Sequence, residues 1–110
     1  MPLRLKYTRT SPDRDDDGIA WSPDAMPDRG EALGRVGRVM ADTAPGKAQE
    51  VWRWFANGQM KNGWCLNGSG TVEIAGDEGK IAACEALEAY WFAALERLRE
   101  QSRLPPVSRP

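Results

Sequence analysis

Histidine is absent from this 110-residue chain, which removes the side chain that most often serves as general base, proton shuttle or metal ligand near neutral pH. Ser-His-Asp and Cys-His nucleophile arrangements go with it. Cysteine is scarce: Cys65 and Cys84 form no CxxC pair, and two thiols are too few for a structural zinc site or a secreted disulfide framework. Both are read as reduced, Cys84 as a small buried hydrophobe and Cys65 as packed beside Trp64. There is no apolar run of about 18 residues, and the opening MPLRLKYTRTSPDRDDDG lacks the shorter apolar stretch of a secretory leader. A cytoplasmic chain without membrane association is therefore expected. An excess of one charge is missing too. Fifteen Lys and Arg against sixteen Asp and Glu give a net charge of −1, so nothing draws the whole chain toward nucleic acid and any basic patch must be local.

What is present suits one small folded domain with tails, since 41% of residues are hydrophobic and 28% charged. Residues 3 to 8 alternate, Leu3, Leu5 and Tyr7 against Arg4, Lys6 and Thr8, the period of a half-buried strand. Residues 11 to 18, SPDRDDDG, read as a solvated loop. Asp13, Asp15 and Asp17 lack the downstream glutamate that an EF-hand calcium loop requires. Prolines, aspartates and glycines dominate residues 10 to 31, which read as a connecting arm in which Ile19, Ala20 and Trp21 make a short extended segment docking the indole on the core, with turns at Ser22-Pro23-Asp24 and Met26 to Gly30.

Leu33 to Ala41, LGRVGRVMA, reads as a strand whose Gly34 and Gly37 mark a bulge or a close backbone approach; no helix start follows to make it a phosphate loop. Glu50 to Ala56, EVWRWFA, is the strongest strand, with Trp52, Trp54 and Ala56 on the core face and Val51, Arg53 and Phe55 on the other. Asn57-Gly58 has the composition of a type I′ hairpin turn. Trp64 to Leu66 and Thr71 to Ile74 supply a further strand or small hairpin, interrupted by Asn67-Gly68-Ser69-Gly70.

The period changes to 3.6 at Asp77, and a helix is expected over residues 77 to 101, opened by Asp77 and Glu78 at the positive end of its dipole. Ile81, Cys84, Leu87, Trp91, Phe92, Ala94, Leu95 and Leu98 fall in one arc and face the sheet, so that Trp52, Trp54 and Trp91 share the core. Ala82, Ala86, Ala89 and Ala93 form an opposite stripe that would let a second helix, from a twin subunit or a partner, approach closely, although alanine's high helix propensity is the favoured explanation. Leu104-Pro105-Pro106 ends the helix. The expected fold is α+β, a small antiparallel sheet of three or four strands packed on one long C-terminal helix. Residues 1–31 form the N-terminal strand and arm, 32–101 the compact domain and 102–110 a flexible Pro-rich tail.

The aspartate-rich arm with its tryptophan, the Gly-Arg-Val strand, the Trp-x-Trp-Phe strand and the Ala-rich helix together resemble small uncharacterised proteins common in alphaproteobacterial genomes, over roughly residues 15 to 98. The aromatic that usually follows the Gly-Arg pair is Gly37 here. The resemblance implies origin and fold and no activity.

Function is expected to be non-enzymatic. Glu73 with Asp77 or Glu78 could pair as acids, but helix capping accounts for their place at a strand-to-helix junction. No cofactor and no metal is expected. The expected activity is binding of a macromolecular partner, protein or a second copy of the chain, with a mobile-element inhibitor of a host complex as one form. Arg35, Arg38, Arg53, Phe55, Lys61 and Trp64 are the candidate partner-binding residues, and Ala82, Ala86, Ala89 and Ala93 the candidate oligomer face. The alternative is a nucleic-acid-binding module in which Arg35, Arg38, Lys47, Arg53 and Lys61 meet phosphates and Phe55 and Trp64 stack on bases. Neighbouring acids, Glu31, Asp42 and Glu50, weigh against it.

Overall fold

A computed structural model describes residues 3–9, 17–27, 32–42, 51–61 and 63–103. Five strands precede one helix: β1 (Lys6–Arg9), β2 (Asp17–Pro27), β3 (Gly34–Asp42), β4 (Val51–Ala56), β5 (Gly68–Val72) and α1 (Gly76–Arg103). The strands form an antiparallel meander in the order β1-β2-β3-β4-β5, and α1 lies across β4 with β3 and β5 beside it. The α+β class and the long C-terminal helix are as expected, and the sheet has five strands rather than three or four.

The extra strand is β2, in the segment read as an arm. Apolar alternation was masked there because Asp17, Gly18, Ser22 and two prolines occupy strand positions. Ala20 is in the core, while the Trp21 indole is not docked there. It lies on the opposite face and donates to Thr8 Oγ1 at 2.6 Å. The Ser22-Pro23-Asp24 turn is present as a wide irregularity, with the Asp24 N–H donating to Ser22 Oγ at 3.1 Å. It carries Ala25 into a bridge with Met60.

Register identifies the two faces. The rows Tyr7–Ala20–Gly37, Gly18–Val39–Trp54–Gly70 and Ala41–Trp52–Val72 run across the sheet on the side that α1 covers. Trp52 and Trp91 are buried, and Trp54 packs half-buried against them. Val51, on the outer side, is buried as well. The helix buries Ala83, Cys84, Leu87, Trp91 and Leu95. Ile81, placed in that arc by the wheel, is instead 46% exposed and lines a surface groove with Leu3, Tyr7 and Val39. Cys65 is exposed rather than packed.

The hairpin β4–β5 is longer than its composition suggests. Asn57-Gly58 is not its turn, and Gly58 has no positive φ. Gly58 is needed because β3 passes so close that a Cβ would strike the Arg35 carbonyl oxygen at 1.9 Å. The ladder runs on in the same register, with Leu66 N–H donating to Gly58 O at 2.8 Å and Met60 N–H to Trp64 O at 2.8 Å. Reversal occurs four residues later, where Gly63 takes φ +97° and its N–H donates to Met60 O. Gly68-Ser69-Gly70, read as an interruption, is the body of β5. Added Cβ atoms would meet the Tyr90 ring at 2.5 Å from Gly68 and the Trp54 indole at 2.4 Å from Gly70. Trp54 and Tyr90 stand against each other, ring centroids 5.9 Å apart.

The N-terminal strand is fastened to the helix by Glu88, a buried carboxylate. It accepts the Arg4 N–H at 2.8 Å, the Leu5 N–H at 3.2 Å and the Tyr7 hydroxyl at 2.7 Å, and the Arg4 guanidinium lies 3.9 Å from the Phe92 ring centroid. Burial, then the bond to Glu88, pushes the Tyr7 hydroxyl well above its ordinary range. Burial likewise pushes the Cys84 thiol up to about 11.

Two outcomes follow from this packing. Trp91→Ala is expected to cost about 3 to 5 kcal/mol and Trp54→Ala less, because one side of its ring stays open; urea unfolding of each variant measures both. For Cys84 the folded state holds a proton that the unfolded chain releases from its ordinary 9.0 upward. Its contribution to stability is therefore full below about pH 9 and lost as pH rises toward 11. Unfolding free energies taken from pH 7 to 11 should fall along this limb, and Cys84→Ala should make it shallower.

Candidate interaction surface

The face of the sheet turned away from α1 is covered by no helix or strand among the described residues. Its rows are Lys6–Trp21–Arg35, Thr8–Ile19–Arg38–Phe55–Ser69 and Asp17–Met40–Arg53–Thr71. Arg35 and Arg38 are three residues apart, a spacing that in a regular strand sends them to opposite faces. They share this one because β3 is bulged: Ala20 pairs with Gly37 and Trp21 with Arg35, leaving Val36 as the extra residue. Val36 turns into the core, where it is fully buried, and every later side chain is shifted by one. The bulge foreseen from Gly34 and Gly37 thus has a consequence for the surface.

The four predicted residues Arg35, Arg38, Arg53 and Phe55 are brought together here, with Phe55 directly opposite Arg38 across the β3–β4 ladder. Arg35 is exposed and the other three are half-buried. Lys61 and Trp64 lie elsewhere. Lys61 is exposed in the Met60–Gly63 turn. Trp64 falls on the helix side of the hairpin, lining a groove of about 360 Å³ with Met60, Leu66, Tyr90, Ala94 and Arg97. Lys47, Glu31, Glu50, Asp13 and Asp15 lie outside the described residues, as do residues 104–110 of the tail. Of the alanine stripe, Ala82 and Ala86 are half-buried and Ala89 and Ala93 exposed.

Asp17 was not foreseen as part of this surface. It was read into a solvated loop, yet its side chain is 3% exposed and it opens β2. Arg38 spans the diagonal to reach it: Nε donates to Oδ1 at 2.7 Å and a terminal nitrogen donates to Oδ2. Two parallel charge-assisted bonds suit a buried carboxylate facing a planar guanidinium, and they raise the Arg38 pKa above its ordinary value. The only sequence signal was that Asp17 and Ile19 continue the alternation of a strand on either side of Gly18. Arg53 is also engaged by interactions within the chain.

No metal-binding cluster of His, Cys, Asp and Glu occurs among the described residues, and none of the described helices is long and apolar enough to cross a membrane. Glu73, Asp77 and Glu78 are exposed at the β5–α1 junction, the last two in the first turn of the helix. The chain matches no family model, and no curated protein or solved structure shows significant similarity to it.

Removing one member of the Asp17–Arg38 pair should be asymmetric. Asp17→Ala leaves a guanidinium that water can still reach and is expected to cost about 1 to 3 kcal/mol. Arg38→Ala strips the guanidinium from a buried carboxylate and is expected to cost more, about 3 to 5 kcal/mol. Thermal and urea unfolding of the two variants measures the order.

Proposed function

We propose that this chain is a non-enzymatic binding module that docks a macromolecular partner, a protein, on its open sheet face. The observation that carries the reading is the state of the three arginines there. Arg38 is committed to the buried Asp17, Arg53 is half-buried and held within the chain, and only Arg35 stands exposed beside apolar Trp21, Ile19 and Phe55. Phosphate recognition draws its affinity from several cations that can each displace counterions. A face whose exposed cations, Lys6 and Arg35, sit together at one end beside half-buried aromatics is closer to a protein interface, where aromatic and arginine anchors dominate. The sheet would act as a rigid platform, with Phe55 as the central anchor and Arg35 selecting an acidic group at the rim.

The second reading, a nucleic-acid-binding module, is supported by the same Phe55 and Trp21 as stacking platforms next to Arg35. Two measurements separate them. Tagged chain should retain a protein from nuclease-treated lysate of the source organism, and Phe55→Asp and Arg35→Glu should each release it. Labelled single- and double-stranded DNA and RNA at moderate salt should bind only weakly. Tight binding that falls steeply with added salt and disappears in Arg53→Glu would put the nucleic-acid reading first.

A further inference from the structure

The sheet has two edges, and they are built differently. At β1 the edge carries Lys6 and Arg9, and just before it the Arg4 and Leu5 N–H groups are taken up by Glu88. Charged residues and capped amides are the usual means by which an edge strand is kept from pairing with another chain. At β5 neither is found. The strand GSGTV has no charge and no proline, and its ladder to β4 has no bulge. Among the described residues no strand pairs with its far side.

Which backbone groups face outward follows from the hairpin. Leu66 donates to Gly58 and Met60 donates to the Trp64 carbonyl, so the even-numbered residues of this arm bond inward to β4. In an antiparallel ladder the alternate residues then turn their N–H and C=O groups the other way. Those are Cys65, Asn67, Ser69 and Thr71, with Glu73 beyond the strand's end. The even-numbered side chains of the hairpin and β5 project on the helix side, Trp64 among them, and two residues past the strand's end Ile74 is a second large apolar residue left in solvent. Trp64 is 43% exposed and Ile74 45% exposed, and they stand equally far from Ser69 on either side.

We propose that two copies of this chain join edge to edge through β5, antiparallel about a two-fold axis at Ser69, into one continuous ten-stranded sheet. In this register Ser69 meets Ser69 of the second copy in a hydrogen-bonded pair. Asn67 meets Thr71 and Cys65 meets Glu73, so no like charges are opposed. On the helix side Trp64 covers Ile74 of the second copy and Leu66 covers Val72, in the closer, non-hydrogen-bonded pairs where cross-strand side chains touch. The apolar residues that one copy exposes at the two ends of the arm are thus each other's cover. A strand from an unrelated protein has no such built-in register, and for this reason a second copy is the occupant. The assembly also places two open faces side by side on one surface, each with its own Arg35, Arg38, Arg53 and Phe55.

Light scattering and sedimentation equilibrium of the full chain should give twice the mass of 12.2 kDa at micromolar concentration. Ser69→Pro removes an N–H that the monomer does not use, and Ile74→Lys places a charge where Trp64 should pack. Each should shift the chain to monomer, with circular dichroism showing that it remains folded. Glu73→Cys should oxidise to a covalent dimer through the native Cys65 of the second copy, since a hydrogen-bonded pair brings Cα atoms to about 5.5 Å, within disulfide reach. Adding Cys65→Ser should abolish the link, and Thr71→Cys, one step out of register, should cross-link far less. A wild-type chain that stays monomeric overturns the proposal. So does a dimer that survives both Ser69→Pro and Ile74→Lys, or cross-linking that ignores register. None of these outcomes bears on whether a partner is captured by the open face, which is read separately in the monomeric variants.

Discussion

The carboxylate of Glu88 decides how the two ends of the described chain meet. Buried charge is tolerated in a protein only when its oxygens are satisfied, and here the donors come from Arg4, Leu5 and Tyr7, far away in sequence. The helix cannot keep Glu88 buried unless β1 is in place, and β1 has no other large apolar anchor than Leu5 and Tyr7, both only partly buried. Each side of the contact therefore requires the other. Glu88 also occupies the two amides that lead into the first edge strand. Among the described residues no strand pairs with the far side of β5, and no helix or strand covers the face turned away from α1.

Around that clasp the core is assembled from rings and missing side chains. Aromatic residues give a small domain more buried area per residue than aliphatics do, but an indole laid flat between helix and sheet needs a neighbour with no Cβ. Gly70 makes that room for Trp54 and Gly68 for Tyr90. The orientation has a cost. The indole nitrogens of Trp52 and Trp91 are buried with no hydrogen-bond partner among the described residues, about 1 to 3 kcal/mol each by the usual desolvation penalty. Close packing of their rings must outweigh it for tryptophan to be tolerated at these positions.

The helix and the Trp-x-Trp-Phe strand were legible because each carries its own period over many residues. The regions misread share a different property: their strand character depends on a neighbour. Gly68 and Gly70 look like loop until the rings above them are known. Gly58 looks like a turn until β3 is known to pass beneath it. β2 hides its alternation because Asp17 occupies a buried strand position where Arg38 pairs with it. Of the candidate site, Arg53 and Phe55 were legible from strand alternation alone. The position of Arg35 beside Arg38 was not, since it needs the bulge at Val36, nor was the place of Trp64 in the helix-side groove, since that needs the hairpin to run on past Asn57-Gly58.

The same dependence shapes the open face that is proposed above as a docking surface. An uncovered sheet face of Ile19, Trp21, Met40 and Phe55 alone would be an aggregation hazard. Setting Arg35, Arg38 and Arg53 among them keeps the face hydrated, and tying Arg38 to Asp17 fixes one guanidinium against β2 instead of leaving it to wander in solvent. A side chain already held in place loses less conformational entropy when a partner arrives. The bulge supplies the remaining element, because in a regular, unbulged strand Arg35, three residues from Arg38, would point into the core. Accommodating Val36 as a bulge thus keeps both arginines on the open face.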